Sequence, residues 1–222
     1  MYIKNWTNNM NYIKKYVDFL EKYLSLDAPV KVVFDCSNGT TGRVLKEVAD
    51  RNNLLNVHFI NDKEDGTFPA HSPGPLVEGA MDDLMRATPK ENADIGAIFD
   101  PDGDRVFFVD EKGERLDPRE IFSIIASRFD PPYVVNASLG KKTLEWIVPN
   151  TEIIETKTGH YFIKKIMKEN NVSFGIEHSG HYYFKDFYFA DSGIIPALIA
   201  LSEVSKLKKN GKTVSVWRES VP

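Results

Sequence analysis

Apolar residues first recur at helical spacing, at Ile13, Tyr16, Val17, Leu20, Tyr23 and Leu24, after a polar lead. The spacing predicts a helix within residues 1–24, capped by Asn8 or Asn9. Its apolar stripe packs either on its own domain or on a neighbour outside this sequence. From Val30 the pattern changes. Val30-Lys31-Val32-Val33-Phe34-Asp35 reads as a buried strand, and Ser37-Asn38-Gly39 turns the chain. A helix over 42–52 points Val44, Leu45 and Val48 inward, and a strand over 55–60 follows. The stretch 61–75 is rich in Asp, Gly, Pro and His and predicts a loop. A helix over 76–87, strands over 95–99 and 105–110, and a turn at Lys112-Gly113 complete the first series.

The rhythm then restarts. Pro118 opens a helix over 118–129, where its missing N–H costs nothing. A strand over 133–136, helix 139–148, strand 152–156, helix 160–170, strands 172–177 and 182–184, and a helix over 194–207 follow. Strands alternating with helices predict an α/β fold with mixed, mostly parallel sheets. The boundary falls near residues 114–118, giving units over 25–114 and 115–222 behind the first helix. Their common rhythm suggests duplication, although no residue-level repeat is visible. The aromatic run Phe184, Phe187, Tyr188 and Phe189 is either core or an exposed docking surface.

Composition narrows the class. The 222 residues are 42% hydrophobic and 27% charged, with 28 Lys plus Arg against 32 Asp plus Glu. A net charge of −4 provides no basic excess for nucleic acid. Lys206, Lys208 and Lys209 are explained by a solvated helix end. Cys36 is the single cysteine, so no intramolecular disulfide forms, which fits a reducing, cytoplasmic setting. The opening residues lack the apolar core of a signal peptide, and no run approaches the length that spans a membrane.

The strongest chemical signal is Phe99-Asp100-Pro101-Asp102-Gly103-Asp104-Arg105. Asp100, Asp102 and Asp104 follow a hydrophobic strand at i, i+2 and i+4. In a turning loop they converge on one hard cation, and oxygen ligands suit Mg²⁺. Loops beyond the C-terminal ends of strands are where ligands collect in open α/β sheets. Arg105 is placed to hold a phosphate beside the metal. A calcium loop fits poorly, because glycine lies between the second and third acids and no closing Glu follows. A solvated acidic turn would crowd three like charges without relief.

Four more blocks accompany this loop. They are Val33-Phe34-Asp35-Cys36-Ser37-Asn38-Gly39, Asp65-Gly66-Thr67-Phe68-Pro69 with His71-Ser72-Pro73, Lys157-Thr158-Gly159-His160, and Gly175-Ile176-Glu177-His178-Ser179-Gly180-His181. In order and spacing the five resemble the α-D-phosphohexomutase superfamily, which includes bacterial phosphomannomutase/phosphoglucomutases. The resemblance covers nearly the whole chain and implies two consecutive α/β/α domains, the second and third of four. It implies reversible interconversion of hexose 1-phosphate and hexose 6-phosphate through a hexose 1,6-bisphosphate. The phosphate-carrying serine and the phosphate clamp belong to the first and fourth domains, which are absent from this sequence. The chain therefore reads as a fragment, inactive alone.

By the same resemblance Asp100, Asp102 and Asp104 hold Mg²⁺, and Arg105 steadies the transferred phosphate. Glu177 and Ser179 read sugar hydroxyls, Gly180 allows close approach, and His181 orients the loop or touches ligand. His160 faces the sugar or a phosphate from a helix start and is a candidate proton carrier, with simple capping as its competitor. Lys157 attracts phosphate or is merely solvated. Departures are Leu139 where the family often has a basic residue, Gly74 in His71-Ser72-Pro73-Gly74-Pro75, and Ser192 in Asp191-Ser192-Gly193-Ile194. A sugar-phosphate-binding or regulatory module derived from a mutase is the alternative. A metal-dependent phosphatase is disfavoured by the sugar block.

Overall fold

The computed structural model describes residues 9–221. The first helix, α1, spans Asn9–Leu20. The predicted polar lead and the candidate cap Asn8 lie outside the described residues. A single 3₁₀ turn extends α1 to Tyr23.

The first sheet comprises β1 (Val30–Asp35), β2 (Leu55–Ile60), β3 (Ile95–Phe99) and β4 (Val106–Asp110), in the order β2-β1-β3-β4. β2 and β3 run parallel to β1, and β4 is antiparallel to β3. The crossovers contain α2 (Thr41–Asp50) and α3 (Asp82–Lys90). The second sheet comprises β5 (Tyr133–Asn136), β6 (Ile153–Thr156), β7 (Phe174–Ile176), β8 (Tyr182–Phe184) and β9 (Ala190–Asp191), in the order β6-β5-β7-β8-β9. Again the first three strands are parallel and the edge is antiparallel. Its helices are α4 (Pro118–Ala126), α5 (Lys141–Ile147) and α6 (His160–Glu169). The chain therefore forms two consecutive α/β/α domains with one shared strand order.

Period-two alternation assigns the faces. Val32, Phe34, Ala97 and Phe99 enter a large core, whereas Val33 and Ile98 enter a small one beneath α3 with Leu84. In the second sheet Val135 joins the large core, while Val134 packs with Ile163 and Met167 of α6. The large core runs through both halves. Its bridge is α7 (Ile194–Lys209), which is buried as far as Ser205 except at Glu203. A helix apolar all round must be internal. α7 packs on α4 as well as on β1, β3 and β4. Its terminal lysines are not simply solvated, because Lys208 reaches Asp94 at 2.7 Å and Lys209 reaches Asp27 at 3.2 Å.

α1 packs on this chain. It lies against α2, while Phe187 sits 5.9 Å from the Tyr16 ring and 5.7 Å from that of Phe19. The aromatic run thus divides, with Phe184 buried, Phe187 beneath α1 and Tyr188 exposed.

Several boundaries differ from expectation. The helix expected over 76–87 begins only at Asp82, because Gly79 takes φ +80° and residues 74–82 form successive turns. Asp82 and Asp83 then suit the positive end of the helix dipole. α4 ends at Ala126, short of residue 129, but starts with a capping box between Asp117 and Glu120. The short strand β9 and a last helix, α8 (Val214–Arg218), carry too little periodic signal to be expected. Among the described residues no helix is long and apolar enough to cross a membrane.

Candidate functional site

The acidic loop leaves the C-terminal end of β3 and re-enters as β4. Pro101 and Gly103 close a tight turn, with Gly103 at φ +76°. Asp100, Asp102 and Asp104 each offer one carboxylate oxygen, and these lie within 4.8 Å of one another. Asp100 is 1% exposed, whereas Asp102 is exposed. Burial pushes the Asp100 carboxyl up to about 6, against the lowering effect of its hydrogen bonds from Arg105. The adjacent His181 imidazole holds the Asp104 carboxyl down, at about 2. A hard-oxygen triad with one buried member fits a small divalent cation such as Mg²⁺.

Arg105 is already engaged. Its Nε donates to Asp100 Oδ2 at 2.5 Å and its backbone N–H to Asp100 Oδ1 at 3.1 Å. The guanidinium is therefore anchored to the loop, with its side chain 30% exposed. The residue lies just outside β4 and instead forms an isolated antiparallel bridge with His181.

That bridge joins the halves. Val106 N–H donates to Gly180 C=O at 3.1 Å, and Gly193 N–H donates to Gly103 C=O at 2.8 Å. Gly180 has φ +87°, and a Cβ there would lie 2.6 Å from the Phe107 ring. Its close approach is thus to the neighbouring half. The Asp104–His181 contact, 3.5 Å between Oδ1 and Nε2, completes the seam.

The histidine loops are fixed from beneath. Buried Asn136, at the end of β5, donates to Thr158 Oγ1 at 3.1 Å and accepts from His178 N–H at 3.0 Å. Glu177 is 2% exposed and accepts from Gly159 N–H at 2.6 Å and from Tyr183 O–H at 2.8 Å. Both its oxygens hold internal partners, so the carboxylate braces the two loops. Ser179 Oγ meets His181 Nδ1 at 2.8 Å. Burial, reinforced by the Glu177 charge, pushes the Tyr183 phenol far up, so it remains a donor.

His160 starts α6 with its side chain 47% exposed, and its ring lies 4.6 Å from that of His181. Behind it is Asp191, with Oδ2 2.8 Å from His160 Nδ1 and Oδ1 3.0 Å from Lys164 Nζ. Asp102, Asp104, Arg105, His160, Ser179 and His181 thus lie side by side, with Asp100 buried beneath the acidic loop. Lys157 does not join it through any described ion pair; it is exposed, with its Nζ 5.9 Å from the centre of the Phe162 ring. Sequence reasoning gave no role to Asp191, Lys164 or Tyr183. The available signal was the Asp191-Ser192-Gly193 turn before α7, which returns an acid to the sheet edge.

A cleft of about 370 Å³ opens beside the acidic loop. Asp102, Asp104 and Asp191 line it with Tyr16, Val44 and Phe187.

A family model described as phosphoglucomutase/phosphomannomutase, alpha/beta/alpha domain II, matches residues 10–113. The model for alpha/beta/alpha domain III of the same family matches residues 145–222. The chain belongs to the phosphoglucomutase/phosphomannomutase family. It falls within the α-D-phosphohexomutase superfamily. A phosphomannomutase of Salmonella typhimurium is 36% identical over 209 residues, covering 87% of this chain and 45% of its own length. A phosphomannomutase of Methanocaldococcus jannaschii is 35% identical over 227 residues, covering 96% and 49%. The chain thus spans about half the length of the curated relatives it matches. The crystal structure of a phosphoglucomutase/phosphomannomutase family protein from Burkholderia thailandensis superposes with a TM-score of 0.79 at 24% identity, over 87% of this chain and 44% of the other. That likeness concerns the fold.

Proposed function

We propose that this chain supplies the metal-loop and sugar-loop domains of a phosphohexomutase that interconverts hexose 1-phosphate and hexose 6-phosphate by way of a hexose 1,6-bisphosphate. One observation carries the reading. The acidic loop meets the His181 loop through the Arg105–His181 bridge, and Glu177 ties the His160 loop to the same place through the Gly159 N–H. Phosphoryl transfer needs charge stabilisation, alignment and a proton carrier, and the three needs have candidates there.

Asp100, Asp102 and Asp104 would hold Mg²⁺, which when bound supplies charge neutralisation at a phosphoryl group. Arg105, anchored through Nε, turns its remaining N–H groups to the same phosphate. His160 stands where α6 leaves backbone N–H groups free for an anion. Its Nδ1 faces Asp191, and Nε2 is left to hold or pass a proton at a sugar hydroxyl. Ser179 and Asp104 orient the His181 ring from its two nitrogens. Glu177 keeps both loops in register, and Lys157 contributes positive charge at the rim. The phosphate-carrying serine and the clamp on the distal phosphate would come from segments outside this sequence.

The test is calorimetric titration of the purified chain with glucose 1,6-bisphosphate, with and without Mg²⁺. The expected result is saturable binding that Mg²⁺ strengthens and that H160A or D102N weakens. A folded chain that binds nothing under either condition overturns the reading. Conversion of glucose 1-phosphate to glucose 6-phosphate by this chain alone overturns the assignment of the phosphate-carrying group to another segment.

A further inference from the structure

The seam between the halves gathers a second set of metal donors. Asp104, His160, His181 and Asp191 each offer a ligand atom, and the four atoms lie within 4.8 Å of one another. Only Asp104 is shared with the acidic triad. The donors are two imidazoles and two carboxylates, whereas the triad is all oxygen. Mixed nitrogen and oxygen donors, four in number, suit a borderline ion of tetrahedral preference rather than Mg²⁺.

Two details point to a ligand. The Asp191 side chain is only 10% exposed, and its Oδ2 is buried without a hydrogen-bond partner. His160 Nδ1 lies 2.8 Å from that oxygen, yet the pair lacks hydrogen-bond geometry. An unpaired buried carboxylate oxygen beside an imidazole nitrogen is a costly arrangement that a shared cation would relieve. His181 has the second feature. Ser179 Oγ holds its Nδ1 at 2.8 Å, which leaves Nε2 directed at Asp104, 3.5 Å away. A ligating imidazole commonly has its other nitrogen fixed in this way. The cations facing the site do not fill it. Lys164 takes Asp191 Oδ1 and leaves Oδ2, and Arg105 is committed to Asp100, lying 3.8 Å from Asp104 Oδ1.

We propose that His160, His181, Asp191 and Asp104 form a second divalent-cation site for a borderline ion of the Zn²⁺ class. It is distinct from the acidic triad in three of its four ligands. Asp104 has two oxygens and can serve both sites at once. The site does not depend on the mutase reading, because metal alone tests it.

The experiment is titration of the full chain with Zn²⁺ by calorimetry, and with Co²⁺ by visible absorption, both in excess Mg²⁺. The expected result is one ion per chain beyond Mg²⁺, with the intense visible bands of four-coordinate Co²⁺. H160A and D191N should each weaken Zn²⁺ binding by about tenfold or more, since even outer-shell partners of a metal ligand are worth about 10–100-fold. D102N should leave the affinity unchanged. His160 is half exposed, so H160A is not expected to unfold the chain, and circular dichroism checks this. Three results overturn the site: H160A binding like the parent, D102N abolishing binding, or a pale Co²⁺ spectrum erased by Mg²⁺.

Discussion

Replacing Gly193 with alanine tests the seam directly. Gly193 has φ −79°, which alanine adopts without strain, so the cost of the change is contact alone. An ideal Cβ would lie 2.5 Å from the Arg105 carbonyl oxygen, 2.8 Å from its carbon and 3.0 Å from the Gly103 carbonyl oxygen. These neighbours are backbone and cannot rotate away. They are also tied down, Gly103 by accepting from Gly193 itself and the next strand residue, Val106, by donating to Gly180. Forcing a methyl into such a space costs about 1–3 kcal/mol. At about 2–4 °C per kcal/mol for a chain of this size, the melting temperature should fall by roughly 2–12 °C. Gly66 is the control. It has no neighbour within 4 Å of a built Cβ and no positive φ. G66A should therefore hold or gain up to about 1 kcal/mol by restricting the unfolded chain. The assay is calorimetric melting of both variants, with amide NMR shifts to locate the disturbance. G193A shifts should concentrate at residues 102–106 and 178–181. A G193A protein as stable as the parent, or shifts spread away from those loops, would refute the argument that backbone contact there holds the halves together.

Three further outcomes follow from single side chains. Y183F removes the hydroxyl that donates to buried Glu177, leaving one carboxylate oxygen unpaired; urea unfolding should show a loss of about 1–3 kcal/mol. Cys36 is 0% exposed and burial pushes its thiol up to about 12, so it should ignore a disulfide reagent in buffer and react in denaturant, whereas prompt labelling of folded protein would contradict its placement. His71 meets buried Asp35 at 3.1 Å, and that contact raises its pKa above 6.5. Its contribution is fully present below the unfolded value and fades as pH rises through the folded one, so the urea midpoint gap between parent and H71Q should be widest near about pH 5.5 and narrower near about pH 8.5.

The sequence was most legible where local chemistry decides the outcome. Strands β1, β3, β5 and β8 lie where apolar runs placed them, because a buried strand must be largely apolar. The acidic triad was legible for a similar reason, since alternate carboxylates in a tight turn converge whatever surrounds them. Glu177 was harder. Its motif said that a carboxylate is needed there, but whether it faces sugar or the Gly159 amide depends on a loop 18 residues away. The same limit hid Asp191, whose neighbours His160 and Lys164 stand on another element. The start of α3 failed for a different reason. The sequence around Leu76 has helical spacing, but a left-handed Gly79 between its apolar positions overrides it.

These cases explain why the two halves must fold together for the site to exist. The acids come from the first sheet and the histidines from the second, and the backbone seam between them runs through residues 103–106, 180–181 and 193. Behind that seam α7 starts at Ile194 and runs through the core shared by both sheets. Gly193 is thus both the last contact with the acidic loop and the residue that launches the bridging helix. Burial of α7 sets the position of Gly193, and Gly193 sets how closely Asp104 approaches His181. Deep apolar packing therefore controls the spacing of charged groups at the surface. Core substitutions on the first turns of α7 should disturb the site more than an equal loss of volume at Leu84 beneath α3, in a separate small core that meets the histidine loop through the Phe107 ring beside Gly180.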